Sequence, residues 1–360
     1  MSDAIDRLLS SRVAKVAGYV SLEPVEVLKK GAGRVIKLDG NENPYGCSPR
    51  VREALSRYPH FHIYPDPEQR ELRQALEAYT GVGQEHIIAG AGSDELIDLM
   101  LRLLIDPGDR VINCPPTFGM YAFSTQVCGG EVVSVPRDEH FGLDVSLIEK
   151  AVDKKTKVVF MASPNNPSGN IAAEADILAL LKKDMFVVVD EAYFEFSGVT
   201  MARLVPRFPN LVVLRTFSKW AGLAGLRVGY GLFPAAIVPE IMKIKQPYNV
   251  SAAAQVAALE SLADRAYLEG TVKAIVAERA RLMSGLSRIS WLKPYASQAN
   301  FILCRVVDGN ARTIHGRLRQ QGIFVRYFDT PELRDCLRIT AGKPEESDAL
   351  LQALKEVRNG

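Results

Sequence analysis

Short apolar runs alternate with longer amphipathic stretches through the central part of the chain. The runs are rich in β-branched residues and nearly continuously apolar, which is typical of strands buried on both faces of a sheet. We predict strands at residues 110–112, 131–135, 157–161, 186–189 and 211–214, and helices between them, such as 93–104 and 171–183. This alternation indicates the α/β class, with a mostly parallel, doubly wound sheet whose active site lies at the carboxyl ends of the strands.

The pattern changes near residues 247–250. An Ala-, Leu-, Glu- and Arg-rich stretch predicts one long helix over residues 251–285. Shorter elements follow: strands at 301–306 and 337–339, and helices at 311–320 and 346–357. We therefore predict a large domain over residues 36–254 and a smaller α+β domain made of residues 1–35 and 255–360.

Composition and charge exclude several classes of protein. The 360 residues are 47% hydrophobic and carry a net charge of +2, which provides no basic footprint for nucleic acid. The five cysteines are scattered without CxxC spacing, which argues against a disulfide framework or a metal site and fits a reducing cytoplasm. No apolar run approaches the roughly 20 residues of a membrane span, and the first residues do not resemble a signal peptide. We expect a cytoplasmic protein without membrane or nucleic-acid partners.

The first turn at a predicted strand end is Gly90-Ala91-Gly92-Ser93-Asp94-Glu95, which opens a helix. Small residues and exposed N–H groups at a helix start favour phosphate. The dinucleotide fingerprint fails because Glu95 occupies its last glycine position, and the Walker motif fails because no Gly-Lys-Ser/Thr follows. An ordinary capped helix explains the turn equally well.

Two further turns carry polar groups at strand ends. Residues 163–169 combine two prolines, two asparagines and a glycine, which restricts the turn that holds Asn166. Asp190, in Asp-Glu-Ala-Tyr, would be costly to bury without a cationic partner. A solvated loop or a magnesium-binding aspartate are the alternatives, and the missing Walker sequence disfavours the second.

The richest segment is residues 215–230, which contains hydroxyls, Lys219, three glycines and Arg227. Pyridoxal 5′-phosphate (PLP) needs a lysine for its Schiff base, an acidic partner for its ring nitrogen and an anion site for its phosphate. Lys219 and Asp190 supply the first two. Candidates for the phosphate site are Ser93, Thr216, Ser218 and Arg227. A lone lysine would usually be a surface residue, so it is the combination that indicates a PLP enzyme.

Motifs along nearly the whole chain resemble those of fold-type I PLP enzymes of the class II aminotransferase group, and specifically the histidinol-phosphate aminotransferases. The matching segments are residues 39–46, 64–66, 92–95, 164–169, 190–193, 218–219, 222–227, 297–301 and 337–340. The Asn-Asn-Pro turn, Asp-Glu-Ala-Tyr and Ser-Lys are specific for fold type I. Asn-Glu-Asn-Pro-Tyr-Gly and Leu-Arg-Ile-Thr narrow the resemblance to this branch.

The resemblance implies a role for each catalytic group. Lys219 would hold the cofactor as a Schiff base and move a proton between the substrate α-carbon and carbon C4′ of the cofactor. Asp190 would pair with the ring nitrogen, while Tyr193 and Asn166 would hydrogen-bond the ring 3′-oxygen. Phe118 falls where the family often has a stacking tyrosine, so the stacking survives without a hydroxyl.

The remaining family positions bind anions. Gly92, Ser93 and Asp94 would bind the cofactor phosphate with Thr216, Ser218 and Arg227. Arg338 would clamp the substrate α-carboxylate in a bidentate fork, which suits a guanidinium. Tyr64 would reach the cofactor phosphate of a partner subunit, which implies a homodimer.

The implied reaction is ping-pong transfer of an amino group between histidinol phosphate and 2-oxoglutarate in histidine biosynthesis. Tyr19 and Arg326 match family positions that bind the substrate phosphate, although simple packing and a surface ion pair would also explain them. An aromatic amino acid aminotransferase and a threonine-phosphate decarboxylase share the cofactor residues and stay open as alternatives. A PLP-fold transcription regulator would need a DNA-binding extension, which we do not expect here. A catalytically dead binding protein would lack a cofactor residue, whereas every cofactor position is present, so both alternatives are disfavoured.

Overall fold

The computed structural model describes residues 8–10, 16, 18, 21–31 and 35–357. Its strands are β1 (Ile36–Leu38), β2 (Ile87–Gly90), β3 (Arg110–Asn113), β4 (Glu131–Ser134), β5 (Thr156–Ala162), β6 (Phe186–Asp190), β7 (Leu211–Thr216), β8 (Gly229–Leu232), β9 (Leu292–Pro294), β10 (Phe301–Val306), β11 (Ile323–Tyr327) and β12 (Cys336–Thr340). Within the described ranges, no helix is long and apolar enough to cross a membrane.

The helices follow the predicted alternation through the first two thirds of the chain. They are α1 (Val25–Gly31), α2 (Pro49–Arg57), α3 (Arg70–Thr80), α4 (Ser93–Leu104), α5 (Met120–Cys128), α6 (Val145–Ala151), α7 (Glu174–Leu180), α8 (Phe194–Ser197), α9 (Val238–Ile244), α10 (Ala252–Ala263), α11 (Arg265–Leu286), α12 (Ala311–Gln320) and α13 (Pro344–Glu356). Short 3₁₀ turns lie at Gln84–His86, Ala202–Arg207 and Ala224–Leu226.

A seven-stranded sheet forms the centre of the molecule, in the order β2-β8-β7-β6-β5-β3-β4. Every neighbouring pair is parallel except the two pairs made by β8, so the predicted mostly parallel sheet is confirmed. Val159 and Met161 of β5 face one apolar cluster, while Val158 and Phe160 face another. Both faces are therefore buried, which explains why the strands are continuously apolar instead of alternating.

The second sheet has five strands in the order β1-β11-β12-β10-β9. Its first strand, Ile36–Leu38, pairs in parallel with β11, where Ile36 lies opposite Ile323. The predicted boundary placed residues 36–38 in the large domain, whereas the strand that they form belongs to the five-stranded sheet. A three-residue strand is too short for its pattern to show which sheet it joins. The limits of the two proposed domains stay a prediction.

Two predicted helices differ in extent from the structure. The long helix predicted over 251–285 is two helices, α10 and α11, which meet at Asp264. Asp264 leaves the helical conformation at φ −105°, ψ 35°, and its carboxylate accepts a hydrogen bond from Ser48. The helix predicted over 171–183 is shortened to Glu174–Leu180. Before it, the Ala172 amide donates to Ser163 Oγ and so belongs to the preceding turn.

Candidate active site

A cavity of about 530 Å³ opens at the carboxyl ends of β5, β6 and β7, beside the second sheet. Most of the predicted site residues line it: Ser93, Asp94, Phe118, Asn166, Asp190, Tyr193, Thr216, Ser218, Lys219, Arg227, Arg326 and Arg338. Folding therefore brings together groups from five strand ends and from the second sheet. This position agrees with the general location of active sites in open α/β sheets.

Lys219 follows β7, and its amine lies in this cavity. Its Nζ donates a hydrogen bond to the carbonyl oxygen of Gly40 at 3.0 Å. Burial lowers the pKa of Lys219 to about 8, and the nearby Arg338 guanidinium acts in the same direction. A substantial fraction of this amine is therefore uncharged at mildly alkaline pH, as a nucleophile or general base requires.

Asp190 ends β6 and is only 4% exposed. Its Oδ2 accepts a hydrogen bond from the Tyr121 hydroxyl at 2.6 Å, and its Oδ1 accepts from the Ala192 amide at 3.0 Å. Burial raises the pKa of Asp190 to about 6, although the Tyr121 hydrogen bond opposes that rise. Both donors are neutral, so a cationic group placed against this carboxylate would be strongly stabilised.

Tyr121 is a site residue that the motif comparison missed. It is fully buried in α5 and stacks on Phe160, with 4.6 Å between ring centroids, while Phe118 packs edge-on against it at 5.5 Å. A tyrosine within an apolar helix is usually a core residue, and only its contact with Asp190 distinguishes Tyr121 from one.

Asn113, at the end of β3, also lines the cavity, and its Oδ1 is buried without a hydrogen-bond partner in the described structure.

We predict that Tyr121→Phe shifts the pH dependence of cofactor binding. Asp190 must be ionised to pair with a protonated ring nitrogen, so PLP affinity should fall as the pH drops through about 6 in the unchanged protein. Without the Tyr121 hydrogen bond the pKa of Asp190 rises further, and affinity should begin to fall at a higher pH. Fluorescence titration of cofactor-free protein with PLP between about pH 5 and 8 measures this. The exposed Tyr267→Phe is the control, and identical pH profiles for all three proteins would contradict the role of Tyr121.

The phosphate-site candidates form a cup at the start of α4. Thr216 Oγ1 donates to Ser218 Oγ at 2.9 Å, and Arg227 reaches Ser218 Oγ at 3.4 Å and Asp94 Oδ2 at 2.9 Å. Gly92 does not line the cavity itself, but it has φ +84°, and a Cβ there would lie 2.5 Å from Arg227 Nη2. A side chain at this position would therefore push the guanidinium out of the cup.

The opposite side of the cavity is built by the second sheet. Arg338, in β12, donates to Asn166 Oδ1 and to the carbonyl oxygen of Asp39. The Tyr193 hydroxyl accepts from Asn41 Nδ2 at 2.9 Å. Asn166 and Tyr193 thus lie within one polar cluster with Arg338, in reach of a ligand that spans the cavity.

Of the predicted site residues outside this group, Tyr64 is described by the structure and Tyr19 is not. Tyr64 does not line the cavity of its own chain; it is 77% exposed and stacks on Tyr248 at 4.4 Å. Tyr19 falls outside the described residues, so its predicted role stays a prediction.

PLP fits these residues on three counts. Lys219 supplies a buried amine with a lowered pKa, and Asp190 supplies a buried carboxylate whose donors are neutral. The cup at Thr216, Ser218 and Arg227 supplies hydroxyl and guanidinium donors beside backbone N–H groups at a helix start. The three sites share one cavity, as a ring with a phosphate arm requires.

Comparison with known proteins identifies the family. Residues 33–354 match the profile of aminotransferase class I and II. The chain belongs to this aminotransferase family. The match spans both sheets and every described site residue, so the predicted fold class and activity class are confirmed.

Relatives of known name narrow the comparison within the family. The chain is 53% identical over 341 residues to histidinol-phosphate aminotransferase of Dehalococcoides mccartyi, covering 95% of both chains. It is 47% identical to the chloroplastic histidinol-phosphate aminotransferase 1 of Arabidopsis thaliana, covering 98% of this aminotransferase and 86% of the relative. The histidinol-phosphate aminotransferase of Sinorhizobium meliloti, solved in complex with pyridoxal-5′-phosphate, superimposes with a TM-score of 0.89 at 28% identity, covering 98% of this chain and 97% of that one.

Proposed function

We propose that this aminotransferase uses PLP to move an amino group between histidinol phosphate and 2-oxoglutarate in histidine biosynthesis. The observation that carries the proposal is that Lys219, Asp190 and three arginines line one cavity: Arg227, Arg326 and Arg338. The names of full-length relatives at 53% and 47% identity support the choice of substrate. When bound, PLP supplies an electron sink that makes the proton on the amine-bearing carbon acidic.

Lys219 moves the proton in this proposal. Its uncharged Nζ would take the proton from the amine-bearing carbon of the donor and then deliver it from the same nitrogen to carbon C4′ of the cofactor. The Gly40 carbonyl oxygen, 3.0 Å from Nζ, orients the amine toward the cavity. Asp190 keeps a negative charge against the ring nitrogen, and Tyr121 holds that charge in place.

Arg338 and Arg326 bind the anionic ends of the two substrates. Histidinol phosphate is a phosphate monoester without a carboxylate, whereas 2-oxoglutarate carries two carboxylates, and a guanidinium binds either group through two parallel hydrogen bonds. Asn166 already accepts from Arg338, which fixes the direction of that fork. Arg326 lines the same cavity and can bind the phosphate, as its family position implies.

An amino-donor panel tests the substrate. With 2-oxoglutarate as acceptor, we expect histidinol phosphate to give a kcat/KM at least about 100-fold above that of phenylalanine, because an aromatic ring cannot replace an ion-paired phosphate. Arg326→Gln should reduce that preference by raising KM for histidinol phosphate, while the exposed Arg207→Gln should not. Preference for phenylalanine would replace histidinol phosphate as the donor, and release of carbon dioxide from threonine phosphate would identify a decarboxylase.

The homodimer and the cytoplasmic location belong to the same proposal. Tyr64 is exposed, stacks on Tyr248 and does not line the cavity of its own chain, which supports its proposed contact with a neighbouring subunit. The five cysteines are all free, which fits a reducing compartment.

A further inference from the structure

Lys245, directly after α9, is a buried lysine outside the cavity. It is 6% exposed, and its Nζ donates to the carbonyl oxygens of Pro67, Gln246 and Pro247 and to Asn249 Oδ1, at 3.1 to 3.2 Å. Burial lowers the pKa of Lys245, and the charges of Glu95, Glu68 and Asp66 act in the opposite direction. An ammonium with neutral acceptors is costly to bury, so its position needs a reason.

The four acceptors belong to two separate turns. Pro67 lies in the turn before α3, and the others lie in the turn between α9 and α10. The ammonium has three N–H donors on one atom, which lets a single side chain hold both turns together. Replacing it with an apolar side chain of similar length would leave several carbonyl oxygens without a donor.

Asn249 connects Lys245 to the cup of phosphate-site candidates at the start of α4 through hydrogen bonds. Its Oδ1 accepts from Lys245 and from Gln69 Nε2, and its Nδ2 donates to Glu95 Oε2 at 2.7 Å. The same Glu95 oxygen accepts from the Ala91 amide at 2.6 Å. The chain of hydrogen bonds therefore ends on the turn Gly90-Ala91-Gly92, called the glycine turn below, which places Ser93 at the start of α4.

The other end of the network reaches the exposed tyrosines. Tyr248 lies between Pro247 and Asn249, two of the residues that Lys245 contacts. Tyr64 lies three residues before Pro67, in the segment that Lys245 also holds. The two tyrosines of the stacked pair therefore belong to the two chain segments that the Lys245 ammonium connects.

We propose that Lys245 is a positioning residue that couples cofactor binding to subunit association, because one buried network holds both the glycine turn and the Tyr64–Tyr248 pair. The inference rests on the proposed function, with its PLP cofactor and its homodimer. Binding of phosphate orders the glycine turn, and the network transmits that order to the tyrosines at the subunit contact. By linkage, dimer formation strengthens cofactor binding by the same factor.

The test compares dimer dissociation constants of cofactor-free and PLP-loaded protein, measured by dilution of fluorescently labelled subunits. In the unchanged protein, PLP should tighten the dimer by about tenfold. Lys245→Met should bring this ratio to within about twofold of one and weaken PLP binding about tenfold. Lys243→Met is the matched control, because Lys243 lies on the same helix, exposed and paired with Glu240. It should keep the full ratio.

Asn249→Ser provides a second variant should Lys245→Met fail to fold, as judged by circular dichroism. It keeps Lys245 and three of its acceptors but removes the link to Glu95. The ratio of the dimer dissociation constants without and with PLP should therefore also fall close to one. A purely structural role predicts lower thermal stability with an unchanged ratio, and that result would overturn the inference alone. A PLP-loaded protein that stays monomeric would instead overturn the proposed homodimer, and this inference with it.

Discussion

Lys219→Ala should reduce amino transfer by at least about 10⁴-fold, the largest loss expected from any single substitution in this protein. The variant removes the only amine that the site residues provide for both covalent attachment of PLP and proton transfer. Steady-state assay with the preferred donor and 2-oxoglutarate measures the loss. Borohydride reduction followed by peptide mass analysis should place the cofactor on the peptide that contains Lys219.

The lowered pKa of Lys219 adds a pH dependence to this prediction. Only the uncharged amine attacks an aldehyde, so the rate at which cofactor-free protein attaches PLP should rise as the pH increases through about 8. The exposed Lys273→Ala serves as the control and should attach PLP normally. Wild-type turnover by Lys219→Ala, or reduction of the cofactor onto a different lysine, would disprove the assignment.

Asp190→Asn should give the second-largest loss, about 10³-fold in kcat. Asparagine has nearly the same shape and can still accept from Tyr121, but it carries no charge to keep the ring nitrogen protonated. The expected loss is therefore electrostatic, and a PLP analogue methylated at the ring nitrogen, which bears a fixed positive charge, should restore part of the rate. Kinetics with both cofactors measure the loss and the rescue.

The control for this variant is Asp184→Asn, an exposed carboxylate in the turn before the same strand. It should have wild-type kinetics with PLP. Wild-type kinetics in Asp190→Asn would contradict its pairing with the ring nitrogen. Equal activity of Asp190→Asn with both cofactors would show that charge is not what Asp190 contributes.

Much of the local structure was predictable because it depends on nearest neighbours in the chain. Helix α4, strand β10 and helix α12 have their predicted bounds, since amphipathic periodicity and buried apolar runs are properties of contiguous residues. The break at Asp264 was not predictable in this way. It arises where α10 packs on α2 and α3 while α11 continues to the second sheet, and no composition change marks that turn.

The residues of the candidate site also fall into two groups, those that the sequence predicts and those that only the tertiary structure reveals. Lys219, Asp190, Thr216 and Ser218 follow apolar strands directly, so a strand-end search finds them from the sequence. Tyr121 lies 69 residues before its partner Asp190, within an ordinary apolar helix, and only the tertiary structure reveals its hydrogen bond. Lys245 resembles any surface lysine until two distant turns bury it.

The sequence by itself determined the α/β class, the mostly parallel sheet and the aminotransferase class, and it predicted the lysine, aspartate and anion-binding groups of the site. These features rest on short motifs and periodicity, which a chain carries before it folds. The tertiary structure alone decided that Ile36–Leu38 joins the second sheet, that Tyr121 supports Asp190 and that Lys245 joins the Tyr64 segment to the glycine turn. Each of these depends on hydrogen bonds between residues far apart in the chain, whose formation is decided by packing and burial and leaves no local pattern.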